Sequence, residues 1–192
     1  MKHEQGVSKE KMDRLRKAVE EQPESATARM KLGTALYWNG EMKHAEQELK
    51  RATELDQNYA EAWVHLGGIY LACWDFGACV ESNSKAAQIN PELKEAHYNK
   101  GLGHLYLNEP AEMVACFRRV LELDPGHPGG HYHLAVGLLA LGESKEAHAE
   151  LAKAVNLGYA PQPEFVKALD RAVTGQGGAR RLETKPEDDK IH

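Results

Sequence analysis

Apolar residues recur along most of the chain with the 3.6-residue period of an α-helix. Two of these apolar faces consist of Ala45, Leu49, Ala52 and Leu55 and of Ala62, Leu66, Ile69 and Tyr70. The i, i+3, i+4, i+7 spacing differs from the strict alternation of a half-buried strand. The pattern therefore predicts a chain of amphipathic helices.

Helix-breaking residues divide this pattern into pairs of helices. Asn39-Gly40 and Gly142 are predicted to end the first helix of a pair, since Gly and Asn tolerate the left-handed conformation of a C-terminal cap. Asn90-Pro91 and Asp124-Pro125 are predicted to end the second helix, because the residue before Pro leaves the helical region. We expect first helices at roughly 26–39, 60–73, 94–107 and 128–141, and second helices at roughly 42–56, 76–90, 110–124 and 144–157.

The helix pairs repeat with a fixed period of 34 residues. Gly33, Gly67 and Gly101 stand 34 residues apart, and a second series in the same register consists of Ala18, Ala52, Ala86, Val120 and Ala154. A fixed period of this length is typical of a repeat array. Since glycine inside a helix costs about 1 kcal/mol relative to alanine, its recurrence predicts that the two helices of each pair approach closely there.

Both ends of the chain follow the same register. Residues 9–22 match a second helix that lacks its first-helix partner, with Ser8 as its expected N-cap. Pro163 opens a last helix with a polar outer side, as an array needs to cover its final hydrophobic face. The expected division is a half-repeat helix at 1–25, four repeats at 26–59, 60–93, 94–127 and 128–161, a capping helix at 162–174 and a disordered tail at 175–192.

The best-defined repeat, residues 60–91, carries the residues Trp63, Leu66, Gly67, Tyr70, Ala86 and Pro91. In this spacing the chain resembles the tetratricopeptide repeat (TPR) proteins, and the resemblance extends over about residues 9–173. Three positions depart from the family pattern. Lys100 replaces an apolar residue, Asn83 replaces an aromatic one, and Trp74 replaces the Gly or Asn between the two helices.

The resemblance implies an all-α, right-handed superhelical array of antiparallel helix pairs with a C-terminal capping helix. It also implies a concave face lined by the first helices, which in TPR proteins typically holds a peptide or helix of another protein. Fold alone does not establish function, so the residues of that face carry the hypothesis.

First-helix positions that point away from their own hairpin are unusually apolar and aromatic. Such residues anchor protein interfaces, because they offer a large contact area with a polar handle. The predicted partner-binding residues are Met30, Thr34, Tyr37, Trp38, Val64, Leu71, Tyr98, Asn99, Leu102, Tyr106, Tyr132 and His133. The alternative for any one of them is packing between repeats. The Lys and Asn clamp with which one TPR subtype holds a C-terminal carboxylate is represented by Asn99 alone.

Composition and charge narrow the class of partner. The net charge of −5 lacks the basic excess of proteins that grip phosphate backbones, so we expect no nucleic acid. No signal peptide or membrane span is present in the sequence as given, which predicts a cytoplasmic protein, although a chain without its export signal would look the same. Cys79 stands where other repeats have Ala45 and Ala147, which predicts a small buried thiol in a reducing compartment.

Neither catalysis nor metal binding is favoured. The chain has no phosphate loop, nucleophile elbow or HExxH pair, so we predict no enzyme activity and no cofactor. His131 and His133 are two residues apart, which points them about 200° away from each other on a helix. His97 and His131 share the position of Trp63, which favours packing over metal ligation.

The sequence therefore predicts a non-enzymatic scaffold or adaptor that holds a peptide or helix of a partner protein in an apolar, aromatic groove. The alternative is a homo-oligomeric scaffold, in which outer helices or exposed ends mediate self-assembly within a larger complex.

Overall fold

A computed structural model describes residues 6–175, and every regular element in that range is an α-helix. The helices are α1 (Lys9–Glu21), α2 (Ala26–Trp38), α3 (Met42–Leu55), α4 (Ala60–Ala72), α5 (Phe76–Ile89), α6 (Lys94–Tyr106), α7 (Pro110–Leu123), α8 (Pro128–Ala140), α9 (Ser144–Asn156) and α10 (Pro163–Thr174). This arrangement confirms the all-α repeat fold. Except for Gly175, the tail that was predicted to be disordered lies outside the described residues.

The eight helices of the four predicted repeats each end one residue before the expected position. In seven of them, all but α6, that residue is the C-cap, whose N–H still bonds to the last turn of the helix. Asn90 and Asp124, which precede the prolines, have non-helical backbones, with φ of −132° and −143°. Ser8 caps α1 as predicted, because its side chain accepts a hydrogen bond from the Lys11 N–H at 3.3 Å.

The chain divides into two compact units, Met1–Gly103 and His104–His192, and the division falls inside α6. In the first unit α2 pairs with α3 and α4 pairs with α5, while α1 packs on α2 and α3 packs on α4. Its core includes Met12, Leu32, Leu49, Leu66 and Ile69. The repeat bounds at 26, 60, 94 and 128 remain a prediction.

In the second unit α8 pairs with α9, α7 packs on α8, and α10 packs on both α8 and α9. The largest fully buried side chains of this unit are those of Met113, Phe117, Val120, Leu138 and Leu169. The last of these lies on α10, so the terminal helix contributes to the core of the unit that it covers.

The glycine of the first helix lies against the second helix of its own pair. A Cβ atom at Gly33 would stand 2.8 Å from Leu49 Cγ and 3.1 Å from the Ala45 carbonyl oxygen. A Cβ atom at Gly67 would stand 2.1 Å from Asn83 Nδ2. The close approach predicted from the 34-residue spacing is therefore present in both helix pairs of the first unit.

Candidate partner-binding surfaces

The first helices of the first unit carry half-buried apolar and aromatic side chains. Met30 and Tyr37 on α2 pack partly against the core cluster that contains Leu32 and Leu36. Between them, the Thr34 hydroxyl donates to the Met30 carbonyl oxygen at 2.9 Å. Each side chain therefore keeps part of its surface accessible while its base is fixed by packing.

The next two first helices continue this composition. Val64 on α4 and Tyr98 and Asn99 on α6 are all half-buried. A Cβ atom at Gly68 would stand 4.0 Å from Asn99 Nδ2, an ordinary contact distance, so the Asn99 amide lies beside the backbone of α4. We call the residues Met30, Thr34, Tyr37, Trp38, Val64, Tyr98 and Asn99 the first-helix face of the first unit.

Four of the residues predicted to bind a partner lie in the packed interior instead. Leu71 and Leu102 are only 6% and 5% exposed. Tyr132, on α8 of the second unit, stacks on Tyr159 with ring centroids 4.5 Å apart, and Phe165 of α10 covers its edge. His133 stacks on Phe117 at 5.1 Å. The remaining predicted residue of this unit, Tyr106, is half-buried.

The physical reason for this burial is the same in each unit. The predicted positions were those that face away from their own hairpin, and part of that surface is covered by neighbouring elements. In the second unit, α10 and the segment before it cover α8, which the helical period of α8 alone does not show. The expectation that Tyr132 and His133 present accessible contact surface is therefore not met in this structure.

Two tryptophans, Trp38 of the first-helix face and Trp74, are the most exposed aromatic side chains among residues 6–175. Trp38, at the end of α2, is 48% exposed and packs edge-on against Tyr37 at 5.2 Å. Trp74, between α4 and α5, is 56% exposed and its ring is 6.1 Å from that of Phe76.

Helices α2 and α4 pack on each other, and Tyr37 and Tyr70 pack against the same core cluster near their C-terminal ends. Burial, and then the charge of Cys73, raises the pKa of Tyr37. Cys73 directly precedes Trp74, and its own pKa is raised by burial and then by Glu46 and Asp75. Sequence reasoning identified Trp38 but treated Trp74 only as a departure from the family pattern.

The backbone at Trp74 takes the left-handed conformation. At the equivalent position of the other repeats stand Gly40, Asn108 and Gly142, with φ of 79°, 59° and 82°, and Trp74 has φ of 67°. Gly and Asn occupy this region readily, whereas a bulky side chain there is a true outlier. The loop between the two helices of each repeat therefore contains one residue in the left-handed conformation, and in one repeat this residue is a tryptophan.

A separate feature recurs at the fourth position of every repeat. There the side-chain N–H of Arg29, Trp63, His97 or His131 lies 2.8–3.0 Å from the backbone carbonyl oxygen six residues earlier. His97 and His131 thus make the same structural hydrogen bond as Trp63, whose position they share. Residues 6–175 contain no group of three His, Cys, Asp or Glu side chains arranged to hold a metal ion.

His131 is also part of a buried polar cluster. Its Nδ1 lies 2.6 Å from Glu150 Oε2, and Lys153 Nζ lies 2.7 Å from Glu150 Oε1. Burial would raise the pKa of Glu150, but the hydrogen bonds and charges of Lys153 and His131 outweigh it and lower the pKa below its usual value. The cluster joins α8 to α9 and is structural in character.

The thiol expected to be buried is buried. Cys79 has no exposed surface, and it donates a weak hydrogen bond to the Asn99 carbonyl oxygen at 3.4 Å. Burial raises its pKa to about 12. Because the thiolate is the nucleophilic form, Cys79 is unreactive at neutral pH.

None of the helices between residues 6 and 175 has the length and apolar character needed to cross a membrane.

Comparison with known proteins identifies the repeat. Two models of the tetratricopeptide repeat match the chain, one over residues 12–72 and the other over residues 94–127. Human protein O-mannosyl-transferase TMTC3 is 26% identical over 167 residues, which is 83% of this chain and 18% of that protein. The type IV pilus assembly protein PilF of Pseudomonas aeruginosa is 28% identical over 116 residues, covering 59% of this chain and 46% of PilF. The chain spans less than half the length of either curated relative.

Solved structures of similar fold include MamA, YrrB and PilF. MamA superposes with a TM-score of 0.71 at 21% identity, over 76% of this chain and 85% of MamA. YrrB, described as a TPR protein with an unusual peptide-binding site, gives 0.73 at 21% identity over 84% of each chain. PilF of Pseudomonas aeruginosa gives 0.73 at 24% identity, over 84% of this chain and 74% of PilF. The repeat spacing, the helix pairs and these matches together show that the chain is a tetratricopeptide repeat protein, an all-α repeat array of a family that serves as a scaffold for protein–protein interaction.

Proposed function

We propose that the first-helix face of the first unit holds an apolar peptide or helix of a partner protein. The observation that carries this proposal is the composition of the face. Met30, Tyr37, Val64 and Tyr98 are half-buried apolar or aromatic side chains on three successive first helices. A solvated helix face would carry Lys, Glu and Gln at such positions.

The chemistry of the face suits an apolar ligand with some polar groups. Tyr37 and Tyr98 combine an aromatic ring with a hydroxyl, and Asn99 adds an amide that both donates and accepts hydrogen bonds. Side chains whose bases are already packed lose little conformational freedom when a ligand covers them. YrrB, which has a similar fold, is described as having a peptide-binding site.

The test begins with copurification from the native source and identification of the bound protein by mass spectrometry. The purified partner is then titrated against the wild-type chain and against Tyr98→Glu by isothermal calorimetry. We expect the substitution to weaken binding about 10-fold or more, because it places a charge in an apolar contact.

Gln88→Glu, on the exposed side of α5, introduces the same negative charge away from the face and serves as the matched control. We expect it to bind as the wild type does. If Tyr98→Glu stays folded and binds the partner with unchanged affinity, the face does not hold the partner.

The second candidate function is self-assembly into a homo-oligomer. It is favoured by the exposed apolar side chains of Val155, Leu157 and Val173 in the second unit, which are 44–48% exposed. Light scattering over a concentration series distinguishes the two functions. A stable dimer or larger assembly that Val155→Asp disrupts supports self-assembly, whereas a monomer at all concentrations excludes it.

A further inference from the structure

We propose that the His131 ring is a proton-dependent link within the second unit. In its imidazolium form it ties the Pro125 backbone, ahead of α8, to Glu150 of α9, and the loss of one proton opens one of these two bonds. We call this arrangement of three residues the His131 link. It goes beyond the proposed function, because none of its members belongs to the first-helix face.

The hydrogen-bond geometry of the ring is the first observation. His131 Nε2 lies 2.9 Å from the Pro125 carbonyl oxygen, and Nδ1 lies 2.6 Å from Glu150 Oε2. A carbonyl oxygen and an ionised carboxylate only accept hydrogen bonds, and a neutral imidazole has a single N–H. Burial would raise the pKa of Glu150, but the hydrogen bonds and charges of Lys153 and His131 lower it, which keeps this carboxyl group ionised at neutral pH. Both bonds therefore require a proton on each ring nitrogen.

The second observation is that the same arrangement recurs in the first unit with a permanent charge. Arg29 Nε donates to the Pro23 carbonyl oxygen at 2.8 Å, and Arg29 Nη1 donates to Glu48 Oε2 at 2.8 Å. Each of these three residues stands three 34-residue periods before its counterpart in the His131 link. In both units a side chain with two donors thus serves one backbone carbonyl and one carboxylate of the second helix.

The two intervening repeats lack the carboxylate. At its register position they have Ser82 and Cys116. Their fourth-position side chains, Trp63 and His97, bond to the backbone carbonyl oxygen, for which a single N–H is sufficient. The carboxylate on the second helix therefore goes together with a side chain that can donate to two acceptors at once.

The other charged groups around the His131 link are engaged in pairs or lie in solvent. Lys153 Nζ bonds to the second oxygen of Glu150 at 2.7 Å. The charges of α7 and α9 beside the link form two pairs, Arg118 with Glu146 at 3.1 Å and Arg119 with Glu122 at 2.9 Å. The charged residues of α10 are all exposed, and they are Glu164, Lys167, Asp170 and Arg171. Histidine is the one side chain of this set whose charge ordinarily changes between about pH 5 and 8.

Deprotonation changes the link in a defined way. A neutral ring keeps one N–H, so either Glu150 or the Pro125 carbonyl oxygen loses its donor and faces a nitrogen lone pair instead. Because folding favours the protonated ring, the stability that the link contributes is present in mildly acidic solution and is lost as the pH rises through the titration of His131. Arg29 provides the first unit with the same link without this dependence, since arginine stays charged.

The first test uses the full chain labelled with nitrogen-15 in its histidines. The ring signals of His131 are identified by their absence from the spectrum of His131→Arg. In mildly acidic solution we expect His131 to show two ring N–H groups that are protected from exchange with solvent, and in alkaline solution only one. A single protected N–H, or none, in mildly acidic solution would overturn the proposal.

Hydrogen exchange, expressed relative to the intrinsic exchange rate at each pH, then measures the effect on the helices. Between about pH 5.5 and about pH 8.5 we expect protection of α8 and α9 in the wild type to fall about 10-fold or more. In His131→Arg it should change by less than about 2-fold, because the guanidinium group keeps both donors. Equal losses of protection in the two proteins would contradict the His131 link.

Arg29→His moves the histidine into the first unit. We expect α2 and α3 of this variant to acquire the pH dependence that α8 and α9 have in the wild type, and this result decides the question if His131→Arg does not fold. His148→Gln removes an exposed histidine of α9 and is the matched control, which should retain the wild-type dependence. Protection of α2 and α3 that is independent of pH in Arg29→His would overturn the proposal.

Discussion

At the scale of single residues, Asn83 is the clearest mismatch between a side chain and its surroundings. It is completely buried at a position where the other repeats have Leu49, Phe117 and Leu151. Its Nδ2 donates to the Cys79 carbonyl oxygen at 2.9 Å, but its Oδ1 has no hydrogen-bond partner. A buried acceptor without a partner costs about 1–3 kcal/mol.

We predict that Asn83→Leu stabilises the first unit by about 1–2 kcal/mol, because it removes this unsatisfied oxygen and restores the contact that Leu49 makes with Gly33. Urea unfolding followed by circular dichroism measures the change. The reverse substitution, Leu49→Asn, is the matched control and should destabilise the protein. A loss of stability in Asn83→Leu would show that the amide contributes more than its geometry indicates.

Glu150 gives a second residue-scale prediction, which concerns pH. A carboxyl group with a lowered pKa in the folded state contributes stability that is complete above its unfolded pKa and is lost as the pH falls through the folded value. The ordinary pKa of a Glu carboxyl group is 4.5. Burial would raise the pKa of Glu150, but its hydrogen bonds and charge interactions with Lys153 and His131 lower it in the folded protein. The wild type should therefore lose stability progressively below about pH 4.5.

The Glu150→Gln variant should be about 1–3 kcal/mol less stable than the wild type at pH 7, and the difference should narrow as the pH falls to 3. Urea unfolding at several pH values checks this. Glu146→Gln removes a carboxylate from an exposed pair with Arg118 and should change stability by less than about 1 kcal/mol at any pH. A constant difference between wild type and Glu150→Gln from pH 7 to pH 3 would contradict the expectation.

Some of these residue environments could be predicted from the sequence and others could not. Burial of Cys79 followed from the alanines at its register position, because a small apolar side chain recurs there. Burial of Leu71 and Tyr132 could not be derived in the same way, since it depends on which neighbouring element covers them. Trp74 was visible as a departure, but its left-handed backbone and its exposure are properties of the folded loop.

At the scale of helices, the glycine spacing gives a direct account of how paired helices meet. Gly33 allows α2 to approach α3, and Gly67 allows α4 to approach α5. A second type of approach was not predicted: a Cβ atom at Gly103 would stand 2.6 Å from Val80 Cγ2, and one at Gly137 would stand 2.7 Å from Val114 Cγ2. These glycines face the second helix of the preceding pair, so their role requires knowledge of packing between repeats.

Two glycines of the first unit should therefore respond in opposite ways to alanine. In Gly33→Ala the new Cβ would meet Leu49 and the Ala45 backbone, and we expect a net loss of about 1 kcal/mol or more despite the higher helix propensity of alanine. In Gly68→Ala the nearest atom is 4.0 Å away, and we expect a gain of about 0.5–1 kcal/mol. Thermal and urea unfolding of both variants measure the difference, and equal effects would contradict it.

At the scale of the whole molecule, the chain divides into two compact units, and the division falls inside α6. The 34-residue period is regular across that point and gives no sign of it. The buried histidines and Glu150 lie in the second unit, and its terminal helix supplies core residues. The buried polar residues of the second unit differ from the apolar core of the first because different side chains occupy the same repeat positions.

We predict that Phe165→Ala in α10 destabilises the second unit by about 3 kcal/mol, because the ring is buried against Tyr132. Hydrogen exchange should accelerate in α8, α9 and α10. Val173→Ala removes an exposed apolar side chain from the same helix and should change stability by less than about 0.5 kcal/mol. If Phe165→Ala unfolds no more readily than this control, α10 does not stabilise the unit.

The hydrogen bond at the fourth position of each repeat has a consequence for how the repeats can differ in sequence. Arginine, tryptophan and histidine all place an N–H near the same backbone acceptor. The requirement at this position is thus a donor of suitable reach, and aromaticity is dispensable. The repeats can therefore differ in side-chain charge and aromaticity at this position while each keeps the same hydrogen bond to the backbone.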